Sequence, residues 1–295
     1  MLTILIPIYN HKVVKLVKAL MRQCKKTRLD CEILCFDDGS NKKTRYENSI
    51  LSDFFGVNYT ELSENLGRAR IRNWMARSAS GRYVLFLDCD SKIVRKDFIE
   101  RYIQCIEKYD IVSGGRIYNK KPPRAKSKRL HWEYGRKSES MTASKRSKHP
   151  YMFFHSNNFL VRREIVEKYP FDENIVGYGY EDLLWASQLH KAGYEIMHID
   201  NPVEHMGLEK ADIFLRKAKK SIENLLALNQ GGQNIETRLT RIYEFMRQYQ
   251  LVGIFKRYYA LKREKIEKGL LSENPGIFSL NMYKLNYYIS LIERQ

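Results

Sequence analysis

Three short apolar runs in this chain each end on a polar or acidic cluster. Leu2 to Tyr9 meets Asn10, Glu32 to Phe36 meets Asp37-Asp38-Gly39-Ser40, and Tyr83 to Leu87 meets Asp88-Cys89-Asp90. Between the runs lie helical spacings, with Val14, Leu16, Val17, Leu20 and Met21 inside 12–24 and further patterns near 43–51 and 67–78. Another apolar run covers 57–62. Strands and helices alternating in this order predict an α/β chain whose sheet is mostly parallel and flanked by helices on both faces. Ligands of such sheets bind beyond the carboxyl ends of the strands, where all three clusters fall.

Asp88 and Asp90 carry the sharpest chemical implication. Paired carboxylates at a strand end suit a hard divalent ion, Mg²⁺ or Mn²⁺, which usually keeps open positions that substrate phosphates fill. A nucleoside diphosphate is the first ligand to consider. The same pattern also suits a turn in which both side chains bond nearby backbone N–H groups.

The length of 295 residues allows one large domain with an appendage, and 43% hydrophobic residues describe a globular chain. No segment reaches the roughly eighteen consecutive apolar residues that a spanning helix requires. Met1 to Pro7 lacks a basic leader and a cleavage site, so it reads as a first strand, and a cytoplasmic location is expected. Five cysteines without C-x-x-C spacing suit reduced core thiols. The net charge of +18 is uneven. Arg116 to Lys148 holds twelve Lys or Arg against two acidic residues, and 208–295 holds sixteen against nine, so the remainder is nearly neutral. Such positive regions attract polyanions, phosphorylated substrates or an acidic lipid surface.

Past a helix near 96–109 and a strand at 111–114, the basic stretch 116–150 reads as a mobile insertion. Order is expected again over 152–161, followed by a helix from 163, a turn through Gly177-Tyr178-Gly179, a helix over 181–192, and a strand at 195–199 leading to His205. The division expected is therefore a domain at 1–207 and a basic helical extension at 208–295.

The runs Asn65-Leu66-Gly67-Arg68-Ala69-Arg70-Ile71-Arg72-Asn73 and Gly81 to Asp90, with Leu2 to Tyr9, Asp37-Asp38-Gly39-Ser40 and Gly179-Tyr180-Glu181-Asp182, resemble the nucleotide-sugar domain of glycosyltransferase family 2. The likeness covers about residues 1–207. It departs from the family at Ile71, where a small residue is usual, and at Trp74-Met75. The resemblance implies a GT-A fold and an inverting, metal-dependent transfer of a sugar from a nucleotide diphosphate donor, a UDP-sugar by family habit. It implies a saccharide or lipid-linked acceptor in polysaccharide or glycan assembly. Asp90, with Asp88, is expected to hold Mn²⁺ or Mg²⁺, and His205 resembles the third ligand of metal-dependent members. Donor-binding residues are Pro7, Tyr9, Asp38, Asn65, Arg72 and Asp88. Asp38 is implied at the base or ribose, with helix capping by Asp37, Asp38 or Ser40 as the other reading. Arg72 either contacts the donor or holds Asp88 by an ion pair. Asp182 is the expected base and Glu181 an orienting neighbour. Asn157 and Asn158 bond acceptor hydroxyls or form a turn. The basic regions then recruit an anionic acceptor or the inner membrane face, without nucleic acid. The rival readings are a nucleic-acid-binding protein using those regions and a catalytically silent sugar-nucleotide binder.

Overall fold

Strand β1 (Leu2–Ile8) is apolar along its whole length because both of its faces are covered. The computed structural model describes residues 1–294 apart from Val176 and Tyr178, so Tyr178 of the expected glycine-flanked turn lies outside the described residues. The chain divides into two compact units, the first comprising 1–117, 140–177 and 181–207.

In the first unit β1 is followed by α1 (Val14–Cys24), β2 (Cys31–Asp37), α2 (Lys42–Asn48), β3 (Val57–Glu61), α3 (Arg68–Ser78), β4 (Tyr83–Leu87) and β5 (Ser91–Ile93). Next come α4 (Phe98–Ile103), β6 (Ile111–Ser113) and β7 (Arg116–Ile117). The seven-stranded sheet has the order β3-β2-β1-β4-β8-β6-β9, where β8 is Asn158–Arg162 and β9 is Ile196–His198. All neighbours pair in parallel except β8, which runs antiparallel to both β4 and β6. The mostly parallel α/β expectation is met, with one reversed strand. Pro7, which has no N–H to give, lies beyond the last β1–β4 pair, Leu5 with Phe86, and pairs only on the β2 side.

Two apolar layers cover this sheet, and β4 shows how the period of two feeds both. Val84 and Phe86 enter one layer with Met75, Phe159, Phe171 and Trp185, while Tyr83, Leu85 and Leu87 enter the other with Leu16, Val17, Phe98 and Ile99. Phe86 stacks on Phe159 at 4.8 Å and Phe171 on Trp185 at 4.7 Å. Helices α7 (Arg163–Lys168) and α8 (Glu181–Lys191) supply Ile165, Val166, Trp185 and Leu189 to the first layer. A second, three-stranded sheet orders β5-β10-β7, with β10 at Val203–His205. Its antiparallel register sets His205 opposite Ser91, next to Asp90.

The stretch 116–150, expected as a mobile loop, carries α5 (Arg129–Tyr134), a widened turn at Gly135–Glu139 and α6 (Ala143–Arg146). Its charges concealed an apolar subset that folds, for Leu130 is buried and the ring of His131 stacks on Phe214 at 4.7 Å. The second compact unit accordingly comprises 118–139, 178–180 and 208–295. It contains α5 with α9 (Ala211–Gln230), α10 (Arg238–Gln248), α11 (Val252–Leu270) and α12 (Ile277–Ile292). Phe214, Tyr259, Leu270 and Leu280 form its core around Leu130.

Arg146, at the end of α6, is 2% exposed and donates to the carbonyl of Ile199 at 2.8 Å and to His198 Nδ1 at 3.0 Å. His198 must offer a lone pair there. Burial, with the neighbouring guanidinium, pushes its imidazole down to about 4. The unfolded imidazole binds a proton below its ordinary value of about 6.5, so this contribution to stability is complete above that pH and is lost as pH falls toward 4. Denaturant unfolding should therefore show His198→Gln losing about 2–3 kcal/mol less than wild type between neutral pH and the acid limit. Equal losses in the two proteins would show that His198 is not buried as a neutral group.

Candidate active site

Gly39 turns the chain after β2 with φ 74°, and a Cβ there would stand 2.6 Å from the Asn65 nitrogen. The closeness of these two loops builds the first wall of the site. Asp38 accepts from the backbone N–H of Leu66 at 2.6 Å and of Gly67 at 3.2 Å, while Asn65 donates to the Asp38 carbonyl at 2.9 Å. Burial raises the Asp38 pKa, with the two N–H donors opposing. The expected base-binding carboxylate thus has the 65–67 loop as its partner, and only 4% of the residue is exposed. Asp37 accepts from Ser40 N–H at 2.7 Å, and Asn41, not Asp38, caps α2 by accepting from Thr44 N–H. Tyr9 is exposed, and the next residue, Asn10, accepts from both nitrogens of Asn41. The ends of β1 and β2 are thereby tied together.

The second wall is the end of β4. Arg72, buried on α3, donates to Asp88 Oδ1 at 2.9 Å, which is the ion-pair alternative of the two weighed for it. Asp88, expected also at the metal, is committed through that oxygen to Arg72. Its backbone N–H donates to the Asn157 carbonyl at 3.0 Å, which brings the segment before β8 alongside. From that segment Ser156 donates through its hydroxyl to Asp182 Oδ1 at 2.5 Å and through its N–H to Oδ2 at 3.1 Å. Burial opposes ionisation of Asp182, but Arg72, Ser156 and His155 together hold its pKa below the usual carboxylate range. Glu181 is buried and lies 3.3 Å from Arg68 Nη1.

Asp90 and His205 form the third element. His205 Nδ1 stands 3.4 Å from Asp90 Oδ1, and no hydrogen bond of good geometry reaches that buried oxygen among the described residues. Burial disfavours the Asp90 anion, yet His205, with Arg116 and His11, lowers its pKa well below the ordinary value. A side chain at Gly207 would collide with the Asp90 carboxylate, so the approach of β10 requires glycine. Carboxylate oxygen and imidazole nitrogen together fit Mn²⁺ or Mg²⁺. Among the described residues no group of three or more His, Cys, Asp or Glu side chains forms a complete cage. Cys89 packs inward between the acidic pair, and burial pushes its thiol up to about 12.

Asn158, expected to bond acceptor hydroxyls or form a turn, is buried in the fold. Its side chain is fully enclosed, accepting from the Tyr102 hydroxyl at 2.7 Å and donating to the carbonyls of Gly115 and Asn201 at 2.9 Å each. Both of its N–H donors are used, and the second lone pair of Oδ1 is closed off from solvent. Asn157 is 4% exposed with its Oδ1 unpartnered among the described residues. Ser156 is the residue that sequence reasoning passed over. It lay inside the polar run His155-Ser156-Asn157-Asn158, but its partner Asp182 is 26 positions away and no local pattern links them.

A mostly parallel sheet carrying acidic groups at the ends of β2 and β4, completed by a small sheet that brings His205 to Asp90, is the GT-A architecture of nucleotide-sugar transferases. The chain belongs to glycosyltransferase family 2, whose profile matches residues 3–170. It is 27% identical over 245 residues to the uncharacterised glycosyltransferase YfnE of Bacillus subtilis, covering 65% of this chain and 60% of that protein. An uncharacterised glycosyltransferase of Haemophilus influenzae is 34% identical over 109 residues, 36% of this chain and 35% of the relative. The chain thus spans 60% of the length of the first of these relatives and 35% of the second. Among solved structures, the mannosyltransferase PcManGT of Pyrobaculum calidifontis, in complex with GDP-Man and Mn²⁺, superposes with a TM-score of 0.54 at 17% identity. That match covers 78% of this chain and 64% of the other. Glucosyl-3-phosphoglycerate synthase of Mycobacterium tuberculosis, with Mn²⁺, UDP and phosphoglyceric acid, gives 0.52 at 13% identity, covering 81% and 80%. No helix among the described residues is long and apolar enough to cross a membrane.

Replacing Asn158 by Leu would strip the buried Asn201 carbonyl of its side-chain donor, leave the Gly115 carbonyl only the Val203 N–H at 3.3 Å, and leave the Tyr102 hydroxyl only the longer bond to the backbone carbonyl of residue 158 at 3.4 Å. An expected loss of about 2–4 kcal/mol in unfolding free energy follows from those unmet groups. A midpoint unchanged from wild type in chemical denaturation would return Asn158 to the acceptor-binding candidates.

Proposed function

We propose that this chain transfers a sugar, with inversion, from a nucleotide diphosphate donor to a hydroxyl of a saccharide or lipid-linked acceptor in polysaccharide or glycan assembly. A UDP-sugar is the donor to test first. The observation that carries this reading is a set of buried polar atoms at the strand ends and on α3 that no hydrogen bond meets among the described residues: Asp37 Oδ2, Arg72 Nε and Nη1, Asn157 Oδ1, and Asp90 Oδ1 with its ion-pair neighbour His205 at 3.4 Å. Each such atom costs the fold about 1–3 kcal/mol unless a ligand meets it. Acceptors and donors of hydrogen bonds gathered around the ends of neighbouring strands match a ligand that is itself both hydroxylated and anionic. Membership in family 2 makes a nucleotide sugar the first candidate of that description.

In this proposal Asp90 and His205 hold a Mn²⁺ or Mg²⁺ ion, which offsets the negative charge of the departing diphosphate. Arg72 supplies fixed positive charge from its buried position, spending part of it on Asp88. Pro7, Tyr9 and Asn65 border the donor, and Asp38 reaches base or ribose only through lone pairs not used by the 65–67 loop. The acceptor oxygen attacks the anomeric carbon on the face opposite the diphosphate. The bond from that carbon to the diphosphate oxygen breaks, its electron pair leaving with the nucleoside diphosphate, and Asp182 takes the acceptor proton. Its lowered pKa keeps Asp182 ionised at neutral pH, as a base must be. Ser156 orients that carboxylate and Glu181 orients the acceptor. The positive regions draw an anionic acceptor or the inner membrane face toward the enzyme.

Release of UDP or GDP from a panel of nucleotide sugars, with and without Mn²⁺, tests the reaction class. Metal-dependent release from at least one donor is expected, and none across the panel would defeat the proposal. Asp182→Asn should keep donor affinity while transfer falls about 10²–10⁴-fold; transfer at the wild-type rate would remove Asp182 from the base role. Asp90→Ala should abolish the increase in donor affinity that Mn²⁺ produces in calorimetry, and a surviving increase would place the ion elsewhere. Ser156→Ala removes the hydroxyl donor to the Asp182 anion and leaves the backbone N–H in place, so the pKa of Asp182 rises and the acid limb of kcat/KM moves to higher pH. An unmoved limb would mean that this limb does not report Asp182.

A further inference from the structure

Helix α11 has two apolar faces, and among the described residues one of them is buried while the other is exposed. Tyr259, Ile266 and Leu270 are buried in the core of the second unit, while Ile254, Tyr258 and Leu261 are 66%, 49% and 84% exposed. The exposed three recur at four and three residues, so they form one stripe turned away from the buried face. Of the six cations on this helix, Lys256, Arg263 and Lys268 pair with carboxylates. Arg257, Lys262 and Lys265 have no such partner among the described residues, and helical spacing places Arg257 and Lys265 beside the apolar stripe. Preceding it on the chain, Phe245 and Tyr249 are more than half exposed, with ring centres 4.7 Å apart.

We propose that the exposed face of α11 is a docking surface for an anionic lipid bilayer, lying in the plane of the interface with Ile254 and Leu261 inserted among the acyl chains and Tyr258 at their boundary with the headgroups. An amphipathic helix of 19 residues, about 28 Å long, with aromatic and aliphatic groups on one stripe and basic groups along it, has the composition of interfacial helices. Tyrosine takes the boundary between acyl chains and headgroups, and Arg257 and Lys265 reach lipid phosphates. Charge decides between this occupant and a second copy of the chain. Residues 238–270 carry nine Lys or Arg against three acidic residues, so two copies meeting through this face would oppose like charges, whereas anionic headgroups neutralise them.

The test sediments the full chain with vesicles of phosphatidylcholine alone and of phosphatidylcholine with phosphatidylglycerol. Wild type should pellet with the second kind and stay in solution with the first, and its retention should fall as salt rises. The double variant Ile254→Glu, Leu261→Glu changes exposed positions, so circular dichroism should be unaltered while vesicle affinity drops at least about tenfold. Arg257→Gln with Lys265→Gln should weaken binding at low salt and flatten its salt dependence. Failure of wild type to bind anionic vesicles, or binding by the double glutamate variant equal to wild type, overturns the proposal. A vesicle-free dimer that the glutamate variant abolishes would overturn it in favour of a second copy. Nucleotide release in vesicle-free buffer is measured separately, so loss of docking and loss of transferase chemistry are told apart.

Discussion

Carboxylates crowded at the ends of neighbouring strands repel one another, and the crevice of this protein depends on the cation that makes such crowding tolerable. Arg72 is 2% exposed, reaches Asp88 at 2.9 Å, and its charge also helps hold Asp182 below the usual carboxylate range. A buried ion pair of this kind adds little net stability, since desolvation consumes most of the Coulomb gain. What it supplies is orientation. With Asp88 turned toward α3, the neighbouring acid, Asp90, meets His205 on the small sheet, and the two halves of Asp88-Cys89-Asp90 acquire different partners. The turn that follows β4 makes this possible, because the chain bends through Cys89 and Asp90, with the Ser91 N–H donating to the Asp88 carbonyl at 3.1 Å, while Cys89 packs against the core.

The second sheet matters for the same reason. β5 begins directly after Asp90, and β10 pairs with it antiparallel, so the register that aligns His205 with Ser91 also delivers an imidazole to the acidic pair. Three-residue strands are weak recognition elements, and this one is secured through Lys92, which donates to Glu204 at 2.8 Å. Gly207 then lets the chain leave past Asp90 where any larger residue would displace the carboxylate. Sheet register, one cross-strand ion pair and one glycine together place a nitrogen ligand beside an oxygen ligand.

The core strands were legible because burial on both faces writes an unbroken apolar run, as at Leu2 to Ile8 and Tyr83 to Leu87. Polar residues closing those runs marked the crevice, and the motif order carried the family. The reversed strand β8 was not legible, since a short apolar segment reads the same whichever way it runs in a sheet. Residues 118–139 were misread for a different reason. Their solvated lysines and arginines outnumber Tyr118, Leu130 and Tyr134, yet a few buried rings suffice to order the segment once α9 and α12 are beside it. Asn158 shows the limit at the site itself, for an asparagine facing a ligand and one knotted into three buried bonds have the same letter.

The unpartnered groups at the strand ends carry a cost that the remaining structure must offset. Among the described residues five buried polar atoms there have no hydrogen bond, and each is destabilising by about 1–3 kcal/mol while no ligand meets it. Directly beneath, Phe86, Phe159, Phe171 and Trp185 are all buried to within 1% and stack or meet edge to face. Full burial of such a side chain contributes about 1.5–3 kcal/mol, and aromatic geometry adds about 0.5–1.5 kcal/mol per pair. The two effects are of the same order, and they are adjacent because β4 and α3 contribute to both. Val84 and Phe86 anchor β4 to this layer while Asp88 at its end faces the crevice, and Met75 anchors α3 while Arg72 on the preceding turn enters the site. The aromatic layer therefore sustains an under-bonded rim, and it holds the groups of that rim in place before any ligand arrives.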